Sequence, residues 1–437
     1  MNVIVFEDGA VQSLGVLVTM RPACDLLIGS CSLVEALQIF GDVHRIARPS
    51  LGHYLSALAG QRIPLWGTPG PAHGVAAPAS RQEGTVLVVN ARLVPTCEAI
   101  AGLRGLVEAG HRGVVFRAGA LVAAVVHRSA IGGETADDTA IKALLSHPGV
   151  AEGARESPAE RIIAELGSRQ PLDDLATDEA AFRLVEQSHE VVTAHEHALA
   201  GSLAMRIDSG HYREVQPGLF AASSARITSP VVVRGGPVVV GDDAEIGPFA
   251  CLDGPAWIAE RVRISPHAWI REGTAIGHDS RVGGEVQASV IEPLTNKPHD
   301  GYLGHSHVGS WVNIAAGTNT GNLKASYGPV RQHTLLPDGS RTTIHTHRQF
   351  LGAVVGDLAK TSVTTSLACG ARIGVVATVG GNAPEQVPAF SNLLTGGRTT
   401  SDQAATMLER MMIRRSMKIL PADRDFLATV HAATTAS

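Results

Sequence analysis

From Val240 to Val282 an aliphatic residue recurs every six positions: Val240, Ile246, Leu252, Ile258, Ile264, Ile270, Ile276 and Val282. Small or turn-forming residues follow each one, as in IGPFAC, ISPHAW and IGHDSR. The spacing returns at Val308 and Ile314, and again at Val355, Thr361, Leu367, Ile373 and Val379. This is the hexapeptide pattern of a parallel β-helix, in which each aliphatic points into a narrow core and small residues turn the corners of a triangular coil. With three hexapeptides to a coil, roughly seven or eight coils are expected. Insertions on a solenoid often build its binding face, which directs attention to two polar interruptions. These are Ala288–His307 and Asn319–Gln349, the second carrying Lys324, His333, His345 and His347. Helical spacing at Met407, Leu408, Met411 and Met412, with Ser401 as a cap, predicts a closing helix over 401–417 that covers the open end.

Before Pro217 the rule is different. Val3–Phe6, Val86–Val89 and the pair Gly113–Phe116 and Ala120–Val126 read as buried strands. Helix candidates at Ser32–Phe40 and Cys97–Ala109 lie between them, and Ala159–Leu166 and Asp178–Met205 close the unit. Strands alternating with helices indicate a doubly wound, Rossmann-like α/β sheet. A chain of 437 residues has room for two or three domains. The expected division is an α/β domain over 1–215, the β-helix over 216–400 and a helical cap over 401–437.

Composition excludes some partners. The 36 basic and 41 acidic residues give a net charge of -5, which argues against binding along a nucleic-acid backbone. No basic run precedes an apolar stretch at the start, and no 18-residue apolar window occurs, so neither a leader nor a membrane span is expected. Five cysteines (24, 31, 97, 251 and 369), sparse and odd in number, suit a reducing, cytoplasmic setting.

The most specific motif is Lys297-Pro-His-Asp-Gly-Tyr-Leu-Gly304, followed by Val308-Gly-Ser-Trp-Val-Asn-Ile-Ala-Ala-Gly-Thr-Asn-Thr-Gly-Asn322. It resembles the acyltransferase half of the bifunctional N-acetylglucosamine-1-phosphate uridylyltransferase/glucosamine-1-phosphate acetyltransferase family. With Arg21-Pro-Ala-Cys-Asp25, Asn322-Leu-Lys324 and Gly356-Asp-Leu-Ala-Lys360, the whole chain looks like a divergent bacterial branch of that family. The resemblance implies a left-handed β-helix, acetyl-CoA or another acyl-CoA as cosubstrate, a sugar phosphate or nucleotide sugar as acceptor, and a homotrimer with sites between solenoids. It places His299 as the catalytic histidine. Glu285, Tyr302 and Asn313 fall at sugar-binding positions, and Ala316 and Asn322 beside the thioester. Two departures stand out: a sugar-contacting lysine is Gln287 here, and the tyrosine after the final asparagine is Leu323.

The residues make chemical sense by themselves. Acyl transfer from a thioester needs a base for the attacking amine or hydroxyl, and a neutral imidazole suits that role. It also needs donors for the developing oxyanion, which backbone N–H groups of Ala315-Ala-Gly317 are placed to supply. His305 and His307 are expected in the same groove. Lys324 and Lys360 are candidates for anionic substrate groups or CoA phosphates. His345-Thr-His347 lacks the cysteine or carboxylate partners of a zinc site, so no metal is assigned there.

In the N-terminal half the glycine cradle usual in nucleotidyltransferases of this fold is missing after the first strand, where Glu7-Asp-Gly-Ala stands. Arg21 and Asp25 are candidates for gripping phosphate, as are Asn90 and Arg92 on Val88-Val-Asn-Ala-Arg-Leu93. Arg92 stands where the resemblance puts a Mg²⁺-binding aspartate, so this motif does not support Mg²⁺. The leading expectation is a transferase that moves an acyl group in the β-helix and binds nucleotide sugars, or transfers nucleotidyl groups, in the N-terminal domain. The alternatives are a sugar-1-phosphate nucleotidyltransferase with the β-helix as an oligomerisation platform, and a non-catalytic nucleotide-sugar-binding scaffold.

Overall fold

A computed structural model of the chain describes residues 1–59, 63–67, 85–110, 113–127, 160, 173–174, 181–335 and 341–435. The first apolar run forms β1 (Asn2–Phe6), flanked in parallel by β2 (Asp42–Ile46) and β3 (Thr85–Asn90). All six residues of β3 are buried, as its unbroken hydrophobic run requires of a strand covered on both faces. The expected strand pair is a hairpin of β4 (Gly113–Arg117) and β5 (Ala120–His127), turning through Ala118-Gly119. With β6 (Asp173–Asp174) they complete a mixed sheet of order β2-β1-β3-β5-β4-β6. Helices α1 (Leu33–Leu37) and α3 (Cys97–Glu108) begin where Ser32 and Thr96 cap their first turns; α2 (Pro49–Leu58) lies between them. The long helix expected from residue 178 starts later, as α4 (Ser188–Asp208), because Gln187 and Glu190 form a capping box there. The helix expected over 159–166 lies outside the described residues apart from residue 160.

The hexapeptide half is a parallel β-solenoid. The eight regular aliphatics from Val240 to Val282 are each 3 % exposed or less, so the six-residue period is the period of core filling. Successive coils stack in register, Glu245 on Arg263 and Arg263 on Arg281, a spacing of 18 residues. One inward column runs through Ile227, Ile246, Ile264, Val282, Lys297, Ile314, Thr361 and Val379. Its eight rungs fit the expected number of coils, and stacking begins at Arg226, before the repeat becomes regular. Ala288–His307 proves not to be an insertion. It belongs to the ladder, and the coil from Val282 to Lys297 is shortened to 15 residues. Asn319–Gln349 does contain an insertion, an antiparallel hairpin of Arg331–Leu335 with Arg341–His345.

One corner of the triangle is unusual. Leu294, Trp311, Leu358, Val376 and Phe390 occupy it on successive coils with φ between 57° and 67°, a conformation bulky residues rarely adopt. Their side chains are at most 5 % exposed. They share one apolar cluster with α2 and two C-terminal helices, α5 (Ser401–Ile413) and α6 (Pro421–Thr435). Burial of these side chains offsets the backbone cost. The C-terminal helices therefore lie along a solenoid edge rather than over its end, and Thr400, not Ser401, caps α5 through a box with Gln403.

Arg21 joins the two halves. Its guanidinium is 1 % exposed and meets Glu292 at 2.7 Å, Ser310 Oγ at 2.8 Å and the Asp357 carboxylate, all on the solenoid. Glu292 also accepts the Leu27 N–H and faces His307 Nε2 at 3.0 Å. Removing one member of a buried charge network leaves the others uncompensated. Arg21→Ala is expected to lower unfolding free energy by about 3–5 kcal/mol, measured by urea denaturation; a loss under about 1 kcal/mol contradicts the clasp.

Candidate functional site

His299 lies at a different corner, between the strand Asn296–Lys297 and the strand Tyr302–Gly304. It is exposed, and its imidazole makes no hydrogen bond or ion pair among the described residues. The Gly317 N–H donates to Asp300 O at 2.9 Å, so the Ala315-Ala316-Gly317 turn stacks on the His299-Asp300 turn one coil later. On one side of the corner Asn296 Nδ2 donates to Asn313 Oδ1 at 2.8 Å. On the other side Glu285 and Tyr302 are ladder partners, and Arg271 holds Glu285 at 2.9 Å. Asn313 and Tyr302 thus flank His299 from two faces of the solenoid rather than meeting each other.

Beyond Tyr302 a polar cluster forms. The Tyr302 hydroxyl donates to Gln287 Oε1 at 3.0 Å and accepts from Asn322 Nδ2 at 2.8 Å. Asn322 Nδ2 also lies 2.9 Å from His305 Nδ1, and the His305 ring stacks on Phe350 at 5.3 Å. Burial raises the Tyr302 pKa and lowers that of His305, so both are neutral near pH 7. Gln287 fills the place of the missing lysine and turns a charge into one end of this hydrogen-bond chain. Lys324 is half-buried and makes no side-chain hydrogen bond among the described residues.

Several expectations need correction. His307 is 0 % exposed and joins the Glu292 network, outside the groove. The Ala315 N–H is bound by Thr361 Oγ1 and the Gly317 N–H by Asp300 O, which leaves only the Ala316 N–H without a partner among the described residues. Lys360 lies under α5, its Nζ 3.2 Å from Met411 Sδ. In the N-terminal unit all four proposed phosphate-binding residues are occupied internally. Arg21 is the clasp described above. Asp25 accepts from Arg45 at 2.8 Å and from Trp66 Nε1 at 3.1 Å. Arg92 grips Asp8 through both carboxylate oxygens, at 2.8 and 2.6 Å, and Asn90 Nδ2 donates to Asp8 at 2.9 Å. Asp8 is 4 % exposed and fully engaged, so these residues do not fit a divalent ion. Local sequence does not show such pairing, because the partners are 82 and 84 positions apart.

One residue went unrecognised. Lys297 occupies an inward column position normally held by an aliphatic, 1 % exposed. Its Nζ donates to the carbonyls of Gly283, Gly301 and His299 at 2.7, 2.8 and 3.3 Å, fastening the turn that carries His299. Counting sixes from Val282 misses it because the coil is three residues short.

Residues 3–207 match the family model described as sugar nucleotidyl transferase. A bifunctional GlmU protein of Methanococcus vannielii is 38% identical over 121 residues, 27% of this chain and 28% of that protein. The bifunctional GlmU protein of Acidithiobacillus ferrooxidans is 31% identical over 173 residues, 38% of this chain and 34% of that one. A bifunctional sugar-1-phosphate nucleotidylyltransferase/acetyltransferase of Sulfurisphaera tokodaii is 29% identical over 163 residues, covering 37% and 39%. The matches span about a quarter to two fifths of these relatives' lengths. The N-terminal unit is similar to the sugar nucleotidyl transferase family over these residues, and the solenoid behind it is consistent with the bifunctional GlmU-like family.

Burial lowers the Lys297 pKa from 10.5 to about 8. Between those values the unfolded chain holds a proton that the folded one has released, so this residue makes stability rise with pH from about 8 towards 10.5. Wild type is expected to gain up to about 3 kcal/mol relative to Lys297→Met across that window, measured by denaturation at pH 7.5 and 10. Parallel pH profiles for the two proteins contradict the assignment.

Proposed function

We propose that this chain, a sugar nucleotidyl transferase domain joined to a GlmU-like solenoid, transfers an acyl group from acetyl-CoA to a sugar phosphate or nucleotide sugar at the His299 corner. The observation that carries the reading is an exposed, unpaired imidazole with the unpaired Ala316 N–H in the turn of the next coil, at a corner flanked by Asn296 and Asn313 on one face and Glu285 and Tyr302 on the other. His299 takes the proton of the attacking amine or hydroxyl as the new C–N or C–O bond forms at the thioester carbon. The Ala316 N–H donates to the oxyanion; the C–S bond then breaks, and the imidazolium returns its proton to the leaving thiolate. Asn322 serves the acyl-CoA side, while Tyr302, Asn313, Glu285 and Lys324 position the acceptor. The chain works as a cytoplasmic enzyme divided at residues 1–215, 216–400 and 401–437.

A homotrimer would complete the same site. The His299 corner carries Phe249 and Val363, 57 and 63 % exposed, and His267 stacks on Phe249 at 5.0 Å. Among the described residues no helix packs on this edge, in contrast to the apolar corner. A homotrimer with solenoids edge to edge would close each groove with a neighbour's face. A second activity, nucleotidyl transfer in the N-terminal unit, is supported by the family match over residues 3–207. It must use groups other than Arg21, Asp25, Asn90 and Arg92.

His299→Ala is expected to lower acyl-transfer kcat by about 10²–10⁴ with CoA affinity unchanged, followed by thiol release. Undiminished turnover removes His299 from the chemistry. Light scattering of the full chain at micromolar concentration should give the trimer mass, and a monodisperse monomer excludes the shared groove.

A further inference from the structure

Between the two units, away from the His299 corner, lies a cavity of about 320 Å³. Its walls come from Leu27, Ser30 and Glu35, from Trp66 and Gly67, from Arg206 at the end of α4, and from Trp257, Glu260 and His278 on the first coils. Ile63 and Arg261, 44 and 50 % exposed, mark its mouth.

Two polar atoms in this wall have no partner among the described residues: Glu35 Oε2 and His278 Nε2, on side chains 3 and 4 % exposed. Each residue is held firmly by its other end. Arg206 donates to Glu35 Oε1 at 2.7 Å while its guanidinium stacks 4.2 Å over the Trp257 ring. His278 Nδ1 lies 2.7 Å from Asp279 Oδ2, and Arg261 binds that carboxylate at 3.0 and 2.7 Å. Although burial opposes it, the hydrogen bonds from His278 and Arg261 hold Asp279 below the usual carboxylate range. Asp279 is therefore an anion that fixes the ring through Nδ1, which leaves Nε2 as the ring nitrogen without a partner among the described residues. That nitrogen faces Gly67, where an added Cβ would stand 2.7 Å from it.

An unpaired buried polar atom is costly, and two in one cavity call for an occupant with several hydroxyl groups, which can both donate and accept. We propose that this cavity binds a monosaccharide-sized polyhydroxyl compound without a phosphate. Hydroxyls donate to Glu35 Oε2 and pair with His278 Nε2, and the C–H faces of such a ring suit Trp66, Trp257, Leu27 and Ile63. The volume sits at the small end of ligand pockets, about 300–1,000 Å³, too small for a nucleotide sugar or CoA. Charge excludes the phosphate: the lining carries Asp25, Glu35, Asp242, Glu260 and Glu292 against Arg206 and Arg261. The site is independent of acyl transfer at His299.

Calorimetry of the full chain with glucosamine, N-acetylglucosamine, myo-inositol and N-acetylglucosamine 1-phosphate tests this. One saturable site is expected for at least one phosphate-free compound, with the phosphate ester at least roughly tenfold weaker. His278→Leu removes the unpaired nitrogen, and Ile63→Trp crowds the mouth at an exposed position where folding is not at stake. Each should raise Kd roughly tenfold or more, while His299→Ala leaves Kd unchanged. Absence of saturable binding, which would mean that water alone satisfies the two atoms, overturns the proposal. So does binding that survives both cavity variants, or tighter binding of the phosphate ester than of its parent sugar.

Discussion

A solenoid coil has no core of its own; every strand must hydrogen-bond to the coil before and the coil after, in register. That constraint turns a six-residue period into three columns of stacked positions, and everything else is attached to them. Lys297 shows its strength. Even a lysine takes the inward place when the coil above requires it, and three backbone carbonyls satisfy its ammonium. Its bonds in turn determine how the His299 turn is presented.

The corners divide the work. One carries bulky residues in a left-handed conformation and is sheathed by helices from both ends of the chain. Tyr54 of α2 stacks on Phe426 of α6 at 4.3 Å there, so distant segments close over the same edge. The His299 corner is bare. The N-terminal unit is docked by a buried arginine with two solenoid carboxylates, an arrangement that specifies geometry more than it adds stability. Its consequence is that Arg21, which reads locally as a phosphate ligand, is committed to architecture.

The solenoid was legible because its signal is local and repeated: the residues from Val240 to Val282 that the period singles out are the ones that are buried. The cluster of Tyr302 and Asn322 was legible through motif spacing, and His305 joins it as expected. What was not legible depends on distant partners. Arg21 reads the same whether it meets phosphate or Glu292 and Asp357, more than 270 residues away. Arg92 reads as a cation at a metal-ligand position until the fold brings it onto Asp8 as a closed pair. The shortened coil hid Lys297 and made an ordinary ladder segment look like an insertion. The edge-on course of the C-terminal helices follows from apolar corner residues whose exposure to one another no local window records.

The account rests on where acyl-CoA sits. A crystal structure of the full chain with acetyl-CoA should place the thioester at the His299 corner, its carbonyl oxygen within hydrogen-bonding distance of the Ala316 N–H and the imidazole beside the acceptor side of the carbon. Acetyl-CoA bound on another face, or no binding at saturating concentration, would contradict it.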